Sequence, residues 1–300
     1  MDATTLLTPE VLARLKRIQF RMRSLATNVF SGEYTSAFKG QGIEFEEVRP
    51  YQPGDEIRRI DWNVTARTGD PFLKIFREER ETTIYFLVDV SASMVFGTTR
   101  HRKADIAAEV TALLAYTALK SHDRIGLVLF SDHVERYIPA KKGRGHIWRV
   151  IREILTHQSH AGKTNLALPL EFLNRVVKRR AVAFLISDFY GEKGGSFPMI
   201  LRRTARHHDL IAVSIRDRRE ETLPPVRWVE LKDAETGTRR LINTSDPTLQ
   251  DLWSKRGMRE QEELTRLLQS SRMDQIALDT EGNYVNPLIR FFRSRERRHH

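Results

Sequence analysis

The 300-residue chain contains no cysteine. That absence excludes a disulfide framework and every thiolate metal site, and it is compatible with a reducing compartment such as the cytoplasm. Long apolar runs are also missing: nothing approaches the roughly 18–20 residues needed to cross a bilayer. "MDATTLLTPEVLARLKR" lacks a basic start followed by an apolar stretch, so no secretory signal is expected there. Acidic residues are in deficit, with 39 Asp and Glu against 50 Lys and Arg, for a formal net charge of +11. The imbalance suggests an anionic partner, whether nucleic acid, anionic membrane or an acidic protein surface. The basic residues are spread in pairs such as Arg202-Arg203 and Arg239-Arg240 and are densest in "RFFRSRERRHH". A solvated basic surface produces the same pattern.

What is present describes a soluble globular chain: 40% hydrophobic and 30% charged residues, with enough length for a sizeable core. Thr8 and Pro9 open a helical pattern in which Val11, Leu15, Ile18, Met22 and Leu25 recur on one face. Residues 31–81 are richer in glycine and charge. Short β-like pieces, "IEFEEV" and "FLKIF", flank a Pro53-Gly54 turn and a short helical turn begun by Asp55. This predicts a first region, 1–81, made of an N-terminal helix and a small irregular β-containing part.

From residue 82 the pattern is regular. "TTIYFLVDV" and "AVAFLISDF" are continuous apolar runs, the mark of strands buried on both faces. They alternate with helical segments, among them "RKADIAAEVTALLAYTALKS" with its stripe of Ile106, Val110, Leu113 and Leu114. "RIGLVLF" and "DLIAVSIRD" add buried strands, "VERYIPA" an edge strand, "DQIALDT" a final strand, and "VRWVEL" with "TRRLIN" a hairpin. A long helix over "PTLQDLWSKRGMREQEELTRLLQSS" and a short closing helix complete the second region, 82–300. The predicted fold is α/β, a doubly wound, mostly parallel sheet with helices on both faces.

In such a sheet the strand C-termini share one edge, and ligands bind where the strand order reverses. Asp89 and Asp188 both end buried runs and so point to one crevice. Two unpaired carboxylates in one place repel, and they must take up a proton or find a cation. Ser91, Ser93 and Thr164 supply hydroxyls to the same edge. Together these form a hard, all-oxygen set suited to Mg²⁺, Mn²⁺ or Ca²⁺ and not to zinc or copper. The competing reading of the hydroxyls is that they merely cap the next helix.

At these residues the chain resembles the von Willebrand factor A domain, whose D-x-S-x-S signature is matched by Asp89, Ser91 and Ser93, with Thr164 and Asp188 at the remaining metal-ligand positions. The resemblance implies a metal-ion-dependent adhesion site. There the serines and threonine bind the ion directly, the acids act mainly through water, and an acidic residue of a partner completes the coordination. "GQGIEFEEVRPYQPGDEIRRIDWNVTARTGD" further resembles domain-of-unknown-function family 58, through Gly42, Glu44, Phe45, Arg49, Tyr51, Gly54, Asp55, Arg58, Ile60, Asp61, Trp62, Ala66 and Arg67. That family implies a partner, a MoxR-type AAA+ ATPase, and chaperone-like maturation or remodelling of protein complexes. On physical grounds the arginines of this block are expected to pair with Asp55, Asp61 and nearby glutamates, and Trp62 to pack.

Other chemistries fit poorly. "AGKT" at 161–164 lacks the glycine that a phosphate loop requires at position 157, where His157 stands, and it follows a predicted helix. There is no G-x-S-x-G elbow, and His157 and His160 lack the glutamate of H-E-x-x-H. A Mg²⁺-dependent phosphotransferase of the haloacid dehalogenase type needs a second aspartate as general acid, and Ser91 occupies that position. The function expected is therefore non-enzymatic, metal-dependent protein binding. The alternative is a basic protein that binds nucleic acid or anionic membrane.

Overall fold

The computed structural model describes residues 34, 37, 38, 40–52, 55–57, 60–99, 101–157, 163–190, 195–232 and 237–299. The predicted helix over 8–25 and the Pro53-Gly54 turn lie outside these residues, as do Arg58, His160, Ala161 and Gly162. Two compact units are distinguished. Phe38–Thr82 forms one, while Tyr34, Ala37 and the chain from Thr83 belong to the other.

In the smaller unit, β1 (Gly40–Pro50) pairs antiparallel with β2 (Phe72–Arg80), with irregularities at Gln41/Gly42 and Phe45/Glu47. Between them lies α1 (Trp62–Thr68), a helix that was not expected. Asp61 caps it by accepting from the Asn63 N–H at 3.0 Å, and Gly69 closes it at φ 84°, where a Cβ would be strained. Arg49 donates to both oxygens of Asp55 (2.8 and 2.7 Å), a bidentate pair that also ties down the Gln52 N–H. The block's arginine chemistry is structural at that point, as anticipated. Trp62 is not the packing residue expected: it opens a helix with no buried residues and is 66% exposed.

The larger unit is built on a six-stranded sheet in the order β10-β7-β6-β3-β4-β5. Its strands are β3 (Thr83–Asp89), β4 (Arg124–Phe130), β5 (Val134–Lys141), β6 (Val182–Ser187), β7 (Asp209–Arg216) and β10 (Asp274–Asp279). All neighbours pair in parallel except β4 and β5, so β5 is the antiparallel edge expected of "VERYIPA". The β8 (Trp228–Lys232) and β9 (Arg239–Asn243) segments form a separate hairpin. The chain runs from β3 outward to β4 and β5, then returns to the other side of β3 to lay down β6. The order therefore reverses between β3 and β6.

The continuous apolar runs are buried because both faces are covered. Tyr85, Leu87, Val128, Phe130, Ala183 and Leu185 face a cluster with residues of α4 (Ala167–Val176), α5 (Phe197–His207) and α7 (Pro247–Ser270). Phe86 alternates to the opposite face, where it stacks on Phe184 with ring centroids 5.6 Å apart. There α2 (Lys103–Lys120) packs on β4 and β7, and beside it runs α3 (Arg144–Thr156). A short helix, α6 (Arg218–Glu221), follows β7.

The closing helix α8 (Val285–His299) is longer than predicted, and its basic sequence is partly structural. Arg295 is buried and bonded to Asp209 and Asp274, which anchors the helix beside β7 and β10. Among the described residues no helix is long and apolar enough to cross a membrane.

Gly126 is demanded by packing. A Cβ there would lie 2.3 Å from the Tyr85 ring, in the middle of the β3–β4 ladder. Gly126→Ala is predicted to destabilise the larger unit by about 1–3 kcal/mol through overpacking. Urea denaturation measures this, and an unchanged midpoint contradicts it.

Candidate metal centre

The adjacency of β3 and β6 brings two acids to one place. Val88 pairs with Ile186 in the last registered step, so Asp89 and Asp188 emerge at the shared C-terminal edge. Both are 1% exposed. Asp89 Oδ1 accepts from the Ser91 N–H (2.9 Å), and Oδ2 accepts from the Ser187 hydroxyl (2.6 Å). Burial, and then the negative charge of Asp188, push the Asp89 carboxyl up from its ordinary 3.8 to about 7. Its hydrogen bonds pull the other way without prevailing.

The hydroxyls converge on the same crevice. Ser91 Oγ lies 3.2 Å from Ser93 Oγ, and Thr164 donates to Ser91 Oγ at 2.7 Å. Ser91 precedes a short 3₁₀ turn (Ala92–Val95), yet its side chain makes no cap hydrogen bond. Helix capping is thus not what occupies this hydroxyl. Thr164 reaches the site because the loop before α4 is pinned: the Asn165 N–H donates to the Ser131 carbonyl just past β4 (2.9 Å). Ser91 and Thr164 are buried, whereas Ser93 is half-buried and gives the cluster a side toward solvent.

A lysine that sequence reasoning missed completes the crevice. Lys103, the first residue of α2, is 0% exposed and donates to Asp188 Oδ2 and to Glu220 Oε1, each at 2.6 Å. The remaining Asp188 oxygen accepts from the Tyr190 N–H at 2.9 Å. The Phe96 and Tyr190 rings lie 5.6 and 5.2 Å from the ammonium. Burial works against the lysine's charge, but attraction to Asp188 and Glu220 outweighs it and raises the Lys103 pKa. Glu220 is itself held by the Asp217 N–H, and Asp217 takes hydrogen bonds from Thr98 and Thr280. The signal was present in the sequence: position 103 extends the buried stripe of Ile106 and Val110 backward by one turn.

The donor set can be tested against a divalent ion. Among the described residues, no group of three or more His, Cys, Asp or Glu side chains is arranged to hold a metal. The cluster is of another kind, with three neutral hydroxyls and two acids. Both carboxylates already accept hydrogen bonds that fix their orientation, and each oxygen retains a lone pair for a metal-bound water. Neutral oxygens as direct ligands with outer carboxylates suit a hard, hydrated cation such as Mg²⁺. The residues therefore fit the ion. Ser91, Ser93 and Thr164 would hold it directly, and Asp89 and Asp188 through water. The ion would supply a positive charge able to bind a further anionic oxygen.

Fold and site together define a doubly wound α/β domain with an oxygen-lined crevice at its topological switch point. The chain belongs to the family described as "Protein of unknown function DUF58", which matches residues 47–263. An uncharacterized protein of Mycobacterium tuberculosis (strain H37Rv) is 32% identical over 96% of this chain and 91% of its own length. Among solved structures, the chain is similar to the conserved hypothetical protein BatB from Bacteroides thetaiotaomicron, with a TM-score of 0.43 and 11% identity over 72% of this chain and 99% of that one. It is also similar to a von Willebrand factor type A protein from Catenulispora acidiphila, with a TM-score of 0.37 and 14% identity over 47% and 34% of the two chains.

The raised Asp89 carboxyl has a pH consequence for the ion-free protein. Because the folded value lies above the unfolded one, the stability this group contributes is complete below about pH 4. It is lost as pH rises through about 7. In EDTA, wild type is predicted to lose stability relative to Asp89→Asn across that window. Urea unfolding at several pH values checks this, and two curves that stay parallel contradict it.

Proposed function

We propose that this protein is a non-enzymatic, divalent-metal-dependent protein-interaction module whose ion captures a glutamate or aspartate of a partner. The observation that carries the reading is the meeting of the Ser91 and Ser93 hydroxyls, from one loop, with that of Thr164, from another, beside the buried Asp89 and Asp188. A hard cation held largely by neutral oxygens keeps most of its charge for an incoming carboxylate. The rim fits protein contact, since Val95 and Phe96 in the same loop are 41% and 40% exposed.

The family resemblance names the partner proposed here, a MoxR-type AAA+ ATPase, with the pair acting in the cytoplasm in chaperone-like maturation or remodelling of other complexes. The net charge of +11 serves this reading by steering an acidic partner toward the site. A phosphotransferase role is disfavoured by Ser91, whose hydroxyl is engaged with Ser93 and Thr164 and is no general acid at neutral pH.

Two measurements test the proposal. At a hundred times its dissociation constant, Mg²⁺ is predicted to stabilise the wild type by about 2.7 kcal/mol in thermal unfolding, and to leave Asp89→Ala unmoved. Capture of the ATPase in a pull-down is predicted to survive high salt and to be lost in EDTA. Binding that ignores EDTA but falls steeply with salt, at a log–log slope near −0.9 per phosphate contact on duplex DNA, supports the nucleic-acid alternative instead.

A further inference from the structure

Lys103 stands where a cation is doubly disfavoured. It is fully buried, and it is the first residue of α2, at the positive end of the helix dipole. Two carboxylates from different parts of the chain hold it there: Asp188, just past β6, and Glu220 in α6. The bridge is shared. One ammonium serves a carboxylate of the metal crevice and a carboxylate outside it, under the Phe96 and Tyr190 rings. Burial of this kind costs stability unless the geometry is well satisfied, which poses the question of what the lysine does for the crevice.

The geometry points to Lys103 as a positioning residue of the metal centre: it binds Asp188 Oδ2, keeps that carboxylate in the outer shell, and subtracts negative charge from the site, with Glu220 setting how much of the lysine Asp188 receives. This inference rests on the metal-dependent reading above and deepens it. With Lys103 in place, the ion is held less tightly than the two acids alone would hold it. It therefore retains more positive charge for a partner's carboxylate. Glu220 acts in the opposite sense. Its charge competes for the lysine and adds to the negative potential, so it favours the ion.

The two residues consequently predict effects of opposite sign on one equilibrium, which a merely structural salt bridge does not. Isothermal titration of the full chain with Mg²⁺ alone reads it. Lys103→Met is expected to bind Mg²⁺ at least fivefold more tightly than wild type, Glu220→Gln at least threefold more weakly, and Lys103→Arg, which keeps the charge, within about twofold. Lys103→Met that binds equally or more weakly, or shifts of the same sign in Lys103→Met and Glu220→Gln, overturn the inference. If Lys103→Met does not fold, Glu220→Gln decides alone, and an unchanged or tighter dissociation constant overturns the assignment. Wild-type binding that Asp89→Ala abolishes establishes the site independently, so failure of the shifts is separable from failure of the site. A wild type that binds no Mg²⁺ removes both.

Discussion

Two carboxylates that would each ionise in water are buried side by side at the ends of neighbouring parallel strands. Their repulsion, in a medium that screens it poorly, is the constraint around which the crevice is organised. The chain answers it unequally. Asp188 is given a lysine, and its charge is balanced inside the protein. Asp89 is given only hydroxyl and amide donors, and its carboxyl is pushed toward neutrality. What remains is a deficit of positive charge on the Asp89 side, next to three hydroxyls that accept as readily as they donate. A hydrated divalent ion fits that deficit in sign, hardness and ligand preference.

The same arrangement explains why the crevice sits in a stiff part of the molecule. Asp89 and Asp188 are carried at the ends of strands buried on both faces. Asp89 closes β3, and Ser91 lies two residues on, its amide hydrogen-bonded back to that aspartate. Thr164 is fixed through Asn165 to the end of β4. Lys103 starts a helix whose stripe is packed against the sheet. From Glu220 the network continues to Asp217, and through it to Thr98 and Thr280 beyond β10. The acids and hydroxyls are thus held by backbone that the core already orders, which lowers the entropic cost of organising an ion site.

Much of this was legible in the sequence because it depended on short, continuous signals. A strand buried on both faces writes an uninterrupted apolar run, so "YFLVDV" and "AFLISD" revealed both the strands and the acids at their ends. That Asp89 and Asp188 share one edge followed from the alternation of strands and helices and from the rule that parallel strands share a C-terminal edge, whereas the direct pairing of β3 with β6 comes from the structure. The hydroxyls came from the spacing of Ser91 and Ser93 and from the place of Thr164 just before a predicted helix, and the family resemblance matched all three. What escaped depended on partners far away in the chain. The helical stripe marks position 103 as buried, but which acids would meet Lys103 there is set only when Asp188 and Glu220 are brought to it. Ser187 reads as part of a strand until it turns its hydroxyl to Asp89. Helix α1 was hidden because its cap, Asp61, sits in a charged stretch that pattern reading assigned to irregular β structure. The exposure of Trp62 followed from the same missed helix. Arg295 belonged to a basic run whose composition suggested solvent, and only the placement of β7 and β10 shows why that arginine turns inward.

The central claim is that Ser91, Ser93 and Thr164 converge on one hard ion beside Asp89 and Asp188. Anomalous diffraction from crystals of the full chain grown in Mn²⁺ tests it most directly. The account predicts a peak at hard-cation bonding distance, about 2.0–2.4 Å, from the three hydroxyl oxygens, with Asp188 still bonded to Lys103. A saturating Mn²⁺ concentration that leaves the three hydroxyls without a peak, or places the ion on another group of side chains, contradicts it.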